Sequence, residues 1–246
     1  MNMLTILGGH GKNGQPDALD ALDIRRGELY TIVGHTGSGK SRLIKDIEQL
    51  VNGDSVTGRR VLVDGQAIAL NERPAYASHF IAHLAQNMRF VLDISVEAFI
   101  RLHCYCRQKQ LKAISVVQAA NQITPEAITL NQSLNTLSGG QSRALMIADI
   151  ACICDSPIVL IDEIENGGID KIKGLEVLIR HDKLVLIVTH DPQIALMADK
   201  RLVLAGGAVS SVCQRTEEEA QMYEKLAADY AWQQTIRAKL RQGVSW

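Results

Sequence analysis

The sequence has no apolar run near the roughly 18 residues that a membrane-spanning helix requires; its longest candidates, such as Leu184 to Val188, have the length of a buried strand. The chain is therefore not expected to cross a membrane. It has no excess of basic charge either. The formal net charge is −1, which leaves no overall field to hold a polyanion, so nucleic acid is not an expected partner. The apolar stretch Met1 to Leu7 has no basic flank and no small-residue cleavage site, so no secretory signal is read and a cytoplasmic location is expected. Disulfides are not expected, because the five cysteines are odd in number in a sizeable chain without an export signal. Internal repeats and low-complexity tracts are also missing.

What is present is ordinary globular composition: 246 residues, 46% hydrophobic and 22% charged, enough for one large core with attachments. Leu29 to Val33 is a β-branched run ending at glycine, followed by a glycine-rich loop and a helical pattern over Ser41 to Val51. Val61 to Asp64 and Phe80 to Leu84 read as strands, with Asp64-Gly65 a turn. From Val96 to about Gln132 the pattern is helical and polar, broken at Pro125, and suggests an inserted helical lobe. Helical periodicity resumes from Gln141 to Cys154. Ile158 to Ile161 and Leu184 to Val188 are apolar on both faces, as central parallel strands are. Between them Ile172 to Arg180 is helical, and Pro192 opens another helix. Alternating strands and helices predict a mostly parallel sheet flanked by helices. Thr216 to Arg241 reads as an appended amphipathic helix, with Met222, Leu226 and Tyr230 four residues apart.

Gly34-His35-Thr36-Gly37-Ser38-Gly39-Lys40-Ser41 fits the phosphate-loop pattern G-x-x-x-x-G-K-[ST] between a predicted strand and a predicted helix. The spacing has a mechanism. Glycines turn backbone N–H groups inward on a triphosphate, the following helix presents its positive end, Lys40 reaches the terminal phosphates and Ser41 can ligate Mg²⁺. Ile158 to Ile161 ends in Asp162 and Glu163, which supplies carboxylates at the edge of a neighbouring strand. With the loop present, Asp162 is the expected Mg²⁺ partner and Glu163 the base for the attacking water. A third element, Leu137-Ser138-Gly139-Gly140-Gln141, again places glycine N–H groups just before a helix.

With these elements in that order and spacing, and a strand-terminal His190, the chain resembles the ABC-type ATPases from about Ala21 to Gly207. The resemblance implies an α/β P-loop NTPase cassette with a mostly parallel core sheet, an N-terminal antiparallel β element and an inserted helical subdomain at about 87–136. A C-terminal helical extension at about 214–246 would complete a single domain of 1–246. The family's pattern makes Gln86 a contact of Mg²⁺ and the attacking water, and His190 a contact of the γ-phosphate. It implies head-to-tail pairing, so that Ser138, Gly139, Gly140 and Gln141 of one chain cap ATP held by Gly34 to Ser41 of the other. The implied function is ATP binding and hydrolysis as the energising subunit of an ABC transporter, at the inner face of the membrane through a separate permease. The alternative is a soluble cassette that assembles, activates or remodels a client protein.

The sequence also departs from the family. The stretch upstream of the phosphate loop, Gly8-Gly9-His10-Gly11, offers no aromatic residue to stack on adenine, with His10 the nearest candidate. Ile164 follows Glu163 where proline is usual, and the run through Asn166-Gly167-Gly168 to Asp170, the residue expected to communicate across the dimer, is a residue longer than usual. Asp149 stands where arginine is common. Gly8 to Gly14 reads as a hairpin or turn, and Glu217-Glu218-Glu219 as a solvated face. Cys104 and Cys106, like Cys152 and Cys154, lie on predicted helices, where side chains two apart point about 200° from each other and cannot chelate one metal.

Overall fold

The computed structural model describes residues 1–243; for 166 and 167 it describes the backbone only, and 244–246 of the expected C-terminal extension lie outside the described residues. Two sheets face one another. The first is antiparallel, in the order β2-β1-β4-β5, from β1 (Met3–Leu7), β2 (Ala21–Arg25), β4 (Arg60–Val63) and β5 (Gln66–Ala67). The second has β3 (Leu29–Val33), β6 (Ile81–Leu84), β7 (Ile158–Asp162), β8 (Leu184–Val188), β9 (Lys200–Ala205) and β10 (Ala208–Gln214), in the order β10-β9-β3-β8-β7-β6. All its neighbours pair in parallel except β9 and β10.

The parallel strands divide two cores. Ile158, Leu160, Leu184 and Leu186 pack toward the antiparallel sheet and α1 (Lys40–Glu48), while Val159, Ile161, Val185 and Ile187 pack toward the other helices. This period-two division explains why β7 and β8 read as unbroken apolar runs: both faces are covered. On the second face lie α5 (Gly139–Cys152), α6 (Lys171–Ile179) and α7 (Pro192–Met197), with α3 (Val96–Cys106) and α4 (Ala113–Ile123) forming the helical lobe. Among the described residues no helix is long and apolar enough to cross a membrane.

Several local expectations are corrected. Phe80 ends a helix, α2 (Arg73–Phe80), and only Ile81 to Leu84 is strand. The Asp64-Gly65 turn does not lead to that strand. It closes a tight hairpin between β4 and β5, with φ of 49° at Asp64 and 80° at Gly65, the twist that two-residue hairpin turns require. The acidic strand end is not next to the phosphate-loop strand, because β8 lies between β7 and β3. On the long C-terminal helix α8 (Glu217–Arg241), Leu226 and Tyr230 of the expected stripe are half-buried together with Tyr223 and Ala227, but Met222 is exposed. Glu219 is not simply solvated: it caps α8 at Thr216 and accepts from Arg201 at 2.6 Å.

Candidate functional site

The carboxyl ends of the parallel strands point the same way, so the loops after β3, β6, β7 and β8 meet. They form a cleft of about 290 Å³ lined by Thr36, Gly37, Gly39, Lys40 and Ser41 from the first loop, Gln86 from the second, Asp162 and Glu163 from the third, and His190 from the fourth. Gly34, His35 and Ser38 complete the loop that shapes it.

Another hairpin packs against the phosphate loop. Gly39 has φ of 105° and a Cβ there would lie 2.8 Å from the Cα of Gly207, in the turn between β9 and β10. The Gly207 N–H donates to Ser38 O at 2.9 Å, so the turn and the loop are in direct contact. Lys40 is buried, and its Nζ donates to Gly34 O at 2.7 Å and His35 O at 3.1 Å, which ties the loop's entry to the helix it opens. The first N–H groups of α1 have no carbonyl a turn before them and remain donors for an anion.

Across the cleft Gln86 Nε2 donates to Glu163 Oε2 at 2.6 Å, and His190 Nε2 is 3.6 Å from Glu163 Oε1. Gln86 and Glu163, the side chains expected to work on the attacking water, therefore converge with His190, the one expected at the γ-phosphate. The His190 backbone is itself held: its N–H and the Thr189 hydroxyl both donate to Glu165 Oε1 at 2.9 Å. Ser41, Asp162 and Gln86 offer a hydroxyl, a carboxylate and an amide oxygen, an all-oxygen donor set that fits a hard divalent cation such as Mg²⁺.

The segment Ser138 to Gln141 is elsewhere. None of its residues lines this cleft, and Gly139 is exposed at the start of α5. Ser138 caps α5 by accepting from the Gln141 N–H at 3.2 Å, and its hydroxyl donates to Glu126 at 2.7 Å. Gln141 departs from its expected ligand-facing place. It is buried, accepting from the Ser138 N–H at 3.0 Å and donating to Ala127 O at 3.0 Å, so its amide is spent on the shape of the segment.

The unusual positions have packing explanations. Ile164 is fully buried in the core shared by α5 and α6, where proline would leave space. Asp149 meets His103 Nδ1 at 2.6 Å and joins α5 to α3 of the lobe. Asp170 caps α6 by accepting from the Lys173 N–H at 3.3 Å and accepts from the Tyr230 hydroxyl at 3.5 Å. The cysteines are free, Cys104 and Cys154 buried and Cys106 exposed. Gly8 to Gly14 is a hairpin, with His10 bridged to Pro16.

Sequence reasoning missed three side chains around the site. His10 does not line the cleft, but Lys12 does, with Nζ donating to Gly37 O at 3.3 Å. Arg143 is buried behind Gln86 and Glu163, and burial pulls its pKa below the ordinary value while Glu165, Asp162 and Glu163 pull it back. Arg59 is also fully buried, donating to both oxygens of Asp17 at 2.8 Å, to Asp46 of α1 at 3.3 Å and to Gly207 O at 2.8 Å. No motif flags these, because their partners are backbone carbonyls or distant acids.

A phosphate loop at the carboxyl edge of a mostly parallel sheet, opposite two carboxylates, places the fold among the P-loop nucleoside triphosphatases. The family model described as ABC transporter matches residues 20–166. An uncharacterized ABC transporter ATP-binding protein of Methanocaldococcus jannaschii is 46% identical over 242 residues, 98% of this chain and 93% of its own. The macrolide export ATP-binding/permease protein MacB of Bradyrhizobium diazoefficiens is 32% identical over 202 residues, 77% of this chain but 30% of MacB. A dimeric ATP-binding cassette solved in a post-hydrolysis state with ADP and Pi shares the fold, with a TM-score of 0.63 and 24% identity over 87% of this chain and 99% of its own. The chain belongs to the ABC transporter family.

Proposed function

We propose that the chain is the energising ATP-binding subunit of an ABC transporter, binding ATP with Mg²⁺ and hydrolysing it to ADP and phosphate as a head-to-tail pair. One observation carries the reading: Lys40, Ser41, Gln86, Asp162, Glu163 and His190 share one cleft, while Ser138 to Gln141 lie outside it. The cleft has the groups for hydrolysis, and the segment has an exposed Gly139 at the start of α5 to close a second chain's cleft.

In this reading Lys40 and the loop amides hold the terminal phosphates. Ser41, Asp162 and Gln86 hold the metal, which when bound neutralises charge on the β- and γ-phosphates. Glu163 takes the proton of the attacking water, Gln86 fixes the carboxylate's orientation, and His190, pinned by Glu165, faces the γ-phosphate. Ser138, Gly139 and Gly140 offer the start of α5 to the partner's triphosphate, and Gln141 keeps them in place.

The lobe at about 87–136 is the part that would meet a permease, at the cytoplasmic face. No helix among the described residues crosses a membrane, so the translocation path belongs to a permease outside them. MacB carries both ATP-binding and permease in its name, which supports transport as the work done. Of the departures that favour a soluble client, namely Ile164, the lengthened Asn166-Gly167-Gly168 turn and Asp149, the first and last have packing roles that require no client. Purification from native membranes in detergent tests the reading: ATP turnover should accompany a multi-helix membrane protein. Recovery only from the soluble fraction with a soluble partner would overturn the transport half.

A further inference from the structure

Helix α5 starts within the signature segment, Leu137 to Gln141, and carries Arg143 one turn in, 7% exposed. Its guanidinium leaves the helix and reaches four main-chain carbonyls in two separate loops. Nη1 donates to Ala85 O at 3.4 Å and Gln86 O at 3.2 Å; Nη2 donates to Asp162 O at 2.9 Å and Glu163 O at 3.2 Å. These are the loops that present Gln86 and Glu163 to the cleft.

Glu163 needs such support. Its backbone is left-handed, φ 52° and ψ 69°, a conformation a non-glycine residue keeps only when its surroundings hold it. Its N–H donates to Val188 O at 3.0 Å on one side and its carbonyl accepts from Arg143 on the other. Arg143 does not line the nucleotide cleft, so it acts through these residues and not on the substrate. Its Nε is buried without a hydrogen-bond partner, a desolvation cost that an apolar side chain of similar volume would avoid. What an apolar side chain could not do is bridge both loops.

We propose that Arg143 is a positioning residue that couples the two nucleotide sites of a dimer, so that docking of Ser138 to Gly140 on a partner's triphosphate sets Gln86 and Glu163 in the arginine's own chain. The inference rests on the head-to-tail pairing of the proposed function. Helix α5 suits the task, since Ala144, Leu145, Ile147 and Ala148 are fully buried and a close-packed interior transmits strain. A shift at its first turn is passed to the carbonyls of Gln86 and Glu163 through one planar group, which a lysine's single ammonium cannot span.

The test compares the full-length wild type with Arg143→Lys and Arg143→Met, measuring ADP affinity, melting temperature, and Mg-ATP turnover against ATP concentration. For Arg143→Lys the expected result is an ADP Kd within about twofold of wild type and a kcat about 10- to 100-fold lower, as small misplacements of reacting groups produce. Its Hill coefficient should fall from above unity toward unity. Arg143→Met should behave alike; if it fails to fold, Arg143→Lys decides. Wild-type kcat and cooperativity in Arg143→Lys would overturn the proposal. So would a non-cooperative wild type, or parallel loss of ADP affinity, kcat and melting temperature, which marks a structural role only. A wild type that neither pairs nor turns over ATP removes the proposed function itself, whereas a cooperative wild type with an unaffected Arg143→Lys removes only the coupling role.

Discussion

The side-chain amide of Gln86 donates to the Glu163 carboxylate at 2.6 Å, joining the loops that follow two adjacent parallel strands, β6 and β7. One oxygen of Glu163, the proposed general base, is thus fixed while the other faces His190. Glu163→Gln retains the volume and removes the proton acceptor. Turnover should fall by about 10²- to 10⁴-fold, the usual worth of a general base, with ATP binding intact and an ATP-bound dimer accumulating. Phosphate release and light scattering read both; turnover equal to wild type would remove Glu163 from the role.

Lys12 gives the cleft a cation beyond the phosphate loop. Its ammonium is exposed, so its contribution is modest. Lys12→Ala should weaken ATP and ADP binding by about threefold to tenfold and leave adenosine binding unaffected. Calorimetric titration with the three ligands decides, and unchanged ATP affinity would place Lys12 outside the site.

The buried Arg59 and Asp17 pair makes a pH prediction. Burial pushes the Asp17 pKa up, but bonds from Arg59 and the N–H groups of Gly9 and Val209, with the arginine's charge, outweigh it and hold the carboxyl below its ordinary value. A folded pKa below the unfolded one means stability that is present above the unfolded value of about 3.9 and lost as pH falls through the folded value. Asp17→Asn leaves Arg59 without its main partner and should cost about 3 kcal/mol or more at pH 7. Urea unfolding should show that difference narrowing below about pH 4. A constant difference across that range would mean the Asp17 charge is not what stabilises.

Ile164 links stability to catalysis through Glu163. It is fully buried, and Ile164→Ala should cost about 2 to 5 kcal/mol by lost burial and the cavity left behind. Because Ile164 directly follows the left-handed Glu163 and anchors it in the core, turnover should fall more than ADP affinity. Urea midpoints and a split between kcat and Kd check the two halves separately.

The strands β7 and β8 were legible in the sequence because burial on both faces leaves an apolar run, and β3 because a β-branched run ends at the first glycine of the phosphate loop. The phosphate loop, acidic strand end and signature segment were legible because phosphate chemistry imposes residue types at short spacing. Strand β5, two residues long, and helix α2, with no buried residue, carry too little pattern to announce themselves. Lys12 was hidden because only the folding back of a hairpin brings it to Gly37, and Arg143 because backbone carbonyls leave no trace of their partner in residue type. The helical period of α8 was legible, and of its expected stripe Leu226 and Tyr230 face the domain while Met222 does not; the Lys171 ammonium sits 4.7 Å from the Tyr230 ring centroid.

Gly39 and Gly207 touch with no room for a methyl group between them, although they belong to opposite ends of the chain. In a mutational scan the two would fail by different contacts: a side chain at Gly39 would strike Gly207, whereas one at Gly207 would press on Gly11 and Lys12 of the hairpin beside the cleft. A bulkier residue in the β9–β10 turn would register as a defect in nucleotide affinity with every motif residue intact, and its suppressors would be sought on the wrong side of the gene by anyone guided by motifs alone.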